Sequence, residues 1–143
     1  MSITTAERQA TEQQLKDLAI VGRAARDRYA ALHTQFLKLK AAHEAAVARC
    51  ALAHAALVDH APLDADNFPT EAEQATWQHE HVELTRKRQT AIEARNLLAV
   101  NLETTRADAV KASQVLERAL WQQRALQIKI NPDVTGTGIV TIG

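Results

Sequence analysis

Aromatic residues are nearly missing from this sequence: two Trp, two Phe and one Tyr stand among 143 residues. Large side chains are what fill a conventional globular core, so a core of that kind is excluded. Four Gly and three Pro are too few for an all-β fold with its many turns. The single cysteine, Cys50, excludes an intrachain disulfide and carries no information about redox compartment. Excess charge is missing too. Seventeen Lys and Arg balance seventeen Asp and Glu, so no whole-chain field draws the protein to nucleic acid or anionic lipid. The most apolar stretch, Ala45 to Val58, contains Arg49 and His54 and falls short of the roughly 20 residues a membrane span needs. The N-terminal residues have no basic region followed by an apolar one, so no secretory signal is expected there.

What is present in excess is alanine, with 28 copies. Alanine is the best helix former and lets helices approach closely, so the composition predicts long helices packed side by side. The breakers gather in two places. Pro62 and Pro69 bracket an Asp/Asn-rich segment, and Pro132, Gly136, Gly138 and Gly143 lie near the end; Gly22 alone stands elsewhere. Two uninterrupted stretches remain, predicting helices over about 5–58 and 70–129 with a loop at 59–69. Both open on a capping-box pattern, Thr4-x-x-Glu7 and Thr70-x-x-Glu73, in which a Thr hydroxyl and a Glu carboxylate satisfy orphan backbone donors.

The first stretch carries apolar or small residues at alternating steps of three and four: Leu15, Leu18, Gly22, Ala25, Tyr29, Leu32, Phe36, Leu39, His43, Ala46, Cys50, Ala53 and Leu57. Such a heptad seam argues for a coiled coil. At ~1.5 Å rise per residue the seam would run about 65 Å. The second stretch continues less cleanly through Trp77, Leu84, Ala91, Leu98, Leu102, Ala109, Ala112, Leu116, Ala119 and Leu126, with His81, Arg88 and Arg95 read as interruptions. A second apolar line, including Leu37, Val47, Val82, Ile92, Val100, Val110 and Val115, lies off both seams and predicts burial against a further helix. The expected fold is all-α: an antiparallel coiled-coil hairpin over residues 1–130, followed by an extended arm over 131–143. A parallel multimer with the loop as a kink is the alternative.

Charge is uneven along such a hairpin. Residues 1–58 carry 8 basic and 5 acidic side chains, residues 59–83 carry 7 acidic and none basic, and residues 84–130 carry 9 basic and 4 acidic. An acidic turn and basic shafts can orient copies or partners locally, within about a Debye length.

Candidate chemistry is sparse. His54, His60, His79 and His81 lie near the turn with Asp59, Asp64, Asp66, Glu80 and Glu83, all metal-ligand types. Their spacing builds no common face, although His79 and Glu83 stand four apart. No metal and no cofactor is expected. His43 and Cys50 are one heptad apart, ~10 Å along a helix and too far for thiol activation. Cys50 reads as a small core residue and His43 as a polar residue that sets register. Arg86, Lys87, Arg88 and Arg95 form the densest basic cluster, but consecutive residues fan around a helix and no aromatic lies beside them. Nucleic acid is not an expected partner. No phosphate loop, metalloprotease helix or serine-nucleophile turn is present, so no catalytic residue is assigned.

The last segment changes character. Asn131-Pro132-Asp133 stops the helix, and the β-branched runs Val134-Thr135 and Ile139-Val140-Thr141-Ile142 are separated by Gly136 and Gly138. Isolated strands are not stable, so the arm is expected to add to another chain, with Val134, Ile139, Val140 and Ile142 as its contacts. These features predict a non-enzymatic structural or assembly subunit whose partners are other copies and other proteins of its complex. A bacteriophage virion component of the head, connector, tail or fibre is the concrete expectation. The two helices also resemble in size and outline the stalk proteins of flagellar and type III secretion export machines. That likeness covers the helices and not the arm; it implies a cytosolic adaptor or chaperone.

Overall fold

Thr4 opens the first helix as its spacing predicts. The Glu7 amide donates to Thr4 Oγ1 at 3.1 Å while the Thr4 amide donates to Glu7 Oε2 at 3.3 Å, a complete capping box. The second box closes halfway. Glu73 N–H donates to Thr70 Oγ1 at 3.1 Å, but the Thr70 hydroxyl itself donates to the Glu73 carboxylate at 3.2 Å. Between these starts and the breakers, the computed structural model contains two helices, α1 over Thr5–Asp59 and α2 over Glu71–Ile130. It describes residues 3–63 and 69–131. The helix limits therefore agree with the sequence reading to within one residue. No strand occurs among the described residues.

The helices pack against each other as a helical hairpin, and the chain divides into two compact units. One joins α1 up to Gln35 with α2 from Thr105 onward. Its shielded residues on α1 are Thr11, Gly22 and Ala25, with Leu15, Leu18 and Leu32 half-buried; on α2 they are Thr105, Ala112, Ala119 and Gln123, with Leu116 and Leu126 half-buried. The two helix segments of this unit run antiparallel. Residues 14–21 of α1 share a groove with 122–126 of α2, and residues 21–28 share the next with 108–115.

The other unit spans Phe36–Thr104 and contains the turn. Ala46 and Cys50 are its buried residues, and Phe36, Leu39, His43, Ala53 and Leu57 are half-buried on α1, as are Leu84, Ala91, Leu98 and Leu102 on α2. Here the end of α1 meets the beginning of α2, because Ala61 and His60 contact Trp77 and His81.

The seam on α1 is the expected one, with one difference. Tyr29 is 38% exposed and lies against His33 one turn on, the rings 6.0 Å apart and nearly parallel. On α2 the reading needs correction. His81, Arg88 and Arg95 do not interrupt the seam; they occupy it, each half-buried. With Thr105 and Gln123 added, the protected positions run 77, 81, 84, 88, 91, 95, 98, 102, 105, 109, 112, 116, 119, 123, 126 and 130 in unbroken steps of four and three. The long amphipathic stems of Arg88 and Arg95 can cover apolar surface while their guanidinium groups reach outward.

Candidate functional site

At the turn the structure brings together one indole and two imidazoles, those of Trp77, His60 and His81. Trp77 sits in the second turn of α2, and its indole Nε1–H donates to the Ala61 carbonyl at 2.6 Å. His81, one turn further along α2, stacks on that indole at 4.8 Å between ring centroids and 10° between planes. His60, just past the end of α1, stacks on it at 5.0 Å and 19°. One indole face thus covers both imidazoles.

The two imidazoles meet edge to edge. Their Nδ1 atoms are 3.3 Å apart, whereas the ring centroids are 5.5 Å apart with planes 27° from parallel. The difference is about one ring's width, which puts both nitrogens on the line between the rings. That spacing suits a hydrogen bond between the two rings. His60 Nε2 also faces Glu80 Oε2 at 3.5 Å. Either imidazole can donate across the Nδ1–Nδ1 contact, according to its tautomer.

The other turn residues stay apart. His54 and His79 are exposed, and Glu83 turns to Arg86 rather than His79, with Nη2 to Oε2 at 2.7 Å. The hydrogen bonds and charge of Arg86 hold the Glu83 carboxyl below its ordinary range and raise Arg86 in turn. Among the described residues no group of three or more His, Cys, Asp or Glu is placed to hold a metal. Asp64 and Asp66 lie outside the described residues. So do the arm contacts Val134, Ile139, Val140 and Ile142.

The basic cluster separates as its spacing requires. Arg86 pairs with Glu83, Arg88 enters the seam, and Arg95 bonds to Asn96 Oδ1 at 3.2 Å. Cys50 is buried in its seam position, with His43 half-buried one heptad away.

A second feature lies in the unit that joins the start of α1 to the end of α2. Two adjoining grooves open along one side of its seam. Gln14, Asp17, Leu18 and Val21 face Gln122, Ala125 and Leu126 across the first. Val21, Ala24, Ala25 and Arg28 face Asp108, Lys111, Ala112 and Val115 across the second. Val21 and Val115 remain 47% and 42% exposed there. No helix among the described residues is long and apolar enough to cross a membrane. Compared with protein-family models, curated proteins and solved structures, the chain matches none.

Residue spacing locates the histidines near the turn but not their grouping. His60 and His81 are 21 residues apart on different segments, so helix periodicity cannot relate them. The available signal is Trp77 and His81, four apart on one helix and therefore on one face.

Proposed function

We propose that this chain is a non-enzymatic structural or assembly subunit, an antiparallel coiled-coil hairpin that works as part of a larger oligomeric complex. One observation carries the reading: the buried apolar residues among those described are all small. Ala25, Ala46, Cys50, Ala112 and Ala119 make up that set, while Ile20, Leu52, Val58, Val82, Leu97, Val100 and Trp121 are each more than 60% exposed. Full burial of one Val, Leu or Ile contributes about 1.5–3 kcal/mol, and the isolated hairpin leaves most of that unrealised. Aliphatic groups on several faces of both helices suit a chain whose core is completed by neighbours.

The expected neighbours are other copies and other proteins of the assembly, and the proposed setting is a bacteriophage particle. The half-buried polar residues His43, His81, Arg88 and Arg95 support the same reading, since polar seam residues fix register at some cost in stability. Sedimentation of the purified chain across a range of concentrations tests the proposal. Concentration-dependent association with rising thermal stability is expected. A monomer with a sharp, concentration-independent unfolding transition would overturn it and favour the adaptor reading. Recovery of the chain at fixed stoichiometry in purified particles from its source tests the setting.

A further inference from the structure

We infer that a second copy of this chain docks on the grooved side of the unit formed by the start of α1 and the end of α2, with α1 antiparallel to its counterpart about a two-fold axis between Gly22 and Arg23. This rests on the assembly reading and names one of its interfaces.

Besides the seam residues Leu18 and Ala25, the residues of α1 that line the grooves, at 14, 17, 21, 24 and 28, repeat in steps of three and four. They form a stripe of their own beside the seam, which is the pattern of a helix that packs on two sides. An antiparallel copy pairs residues whose numbers mirror about the axis. Val21 then meets Ala24 of the second copy, Gln14 meets Ala31, and Asp17 meets Arg28. Small and aliphatic groups fall at the centre, and opposite charges fall at both ends. An isologous interface places every contact twice, so the Asp17–Arg28 pair occurs on either side of the axis.

The same axis also suits α2. Val21 lines one groove with Val115 and the next with Gln122, which puts Gly22 level with the stretch between those two. An axis between Leu116 and Glu117 brings Lys111 opposite Gln122, Asp108 opposite Ala125, and Val115 opposite Arg118. No like charges meet among these pairs. The available area is adequate. About 19 residues of two adjacent helices offer a strip ~28 Å by ~20 Å, or about 560 Å² per copy and ~1,100 Å² in all, above the ~1,000 Å² that a specific interface needs. An unrelated partner helix would have no reason to find charges arranged symmetrically about the apolar centre.

A mixing experiment on the full chain tests this. Asp17→Arg and Arg28→Asp each place two like-charge pairs across the axis and should weaken self-association about tenfold, read by sedimentation, with helical circular dichroism unchanged. The first variant is basic at both positions 17 and 28, and the second is acidic at both. Mixed one to one, they form a heterodimer in which both cross-axis pairs are attractive, and association should return to the wild-type level. Val21→Glu should weaken it in every mixture. Wild-type association that neither charge variant alters, or a mixture no stronger than its components, overturns this interface while leaving the assembly reading intact. A wild-type chain that stays monomeric at all concentrations overturns it as well, and a sharp, concentration-independent unfolding transition of that monomer then counts against the assembly reading too.

Discussion

The indole of Trp77 reaches back across the turn to the carbonyl oxygen of Ala61, 2.6 Å away. This single bond ties the start of α2 to the residue that follows His60. Trp77→Phe keeps an aromatic ring over His60 and His81 but removes the donor. It should lower stability by about 1 kcal/mol, measured as a shift of the urea midpoint at fixed protein concentration. An unchanged midpoint would mean that the turn is held elsewhere.

Much of this fold is legible in residue spacing, and the failures are specific. The α1 seam stands out because nearly every position in it is apolar or small. On α2, His81, Arg88 and Arg95 read as interruptions because they are polar, and Thr105 and Gln123 escape the pattern for the same reason. Stepping by three and four without regard to residue type finds all five. Polarity misleads because a seam position need not be fully apolar: an Arg stem or a Gln side chain can shield its neighbours with its aliphatic part. Arg88→Leu should therefore raise the thermal midpoint, with a gain of about 1 kcal/mol from added apolar burial. His43→Leu should act in the same direction. Both exchanges are expected to loosen register, visible as a broader transition or mixed oligomers.

Glu83 and Arg86 give a small pH effect of known sign. The Arg86 hydrogen bonds and charge depress the carboxyl, so the pair stabilises the folded chain above the ordinary carboxylate range. That contribution is lost as pH falls through the depressed value. Both groups are solvated, so the effect is small. Comparing Glu83→Gln with the wild type, the variant should be slightly less stable at neutral pH, and the difference should close in strong acid. A difference that persists there would assign the effect to something other than charge.

The small buried residues set how closely the helices approach, and they supply the most direct test of the packing. Ala46 is 1% exposed and Ala119 is 2% exposed, each in a seam position where the surroundings leave no room for more. Leucine has almost the same helix propensity as alanine, so replacing one by the other changes volume with little effect on the helix itself. Ala46→Leu and Ala119→Leu should each cost about 1–3 kcal/mol by overpacking. Ala48 is exposed on the same helix as Ala46, and Ala48→Leu should leave the thermal midpoint nearly unchanged. The opposite change, Ala46→Gly, should cost about 1 kcal/mol through helix propensity and lost contact. The decisive comparison is Ala46→Leu against Ala48→Leu, two residues apart with identical chemistry. If both were neutral, the helices would have room to separate and the seam would not be the close contact described. If only Ala46→Leu is destabilising, the interface is set by alanine at that level.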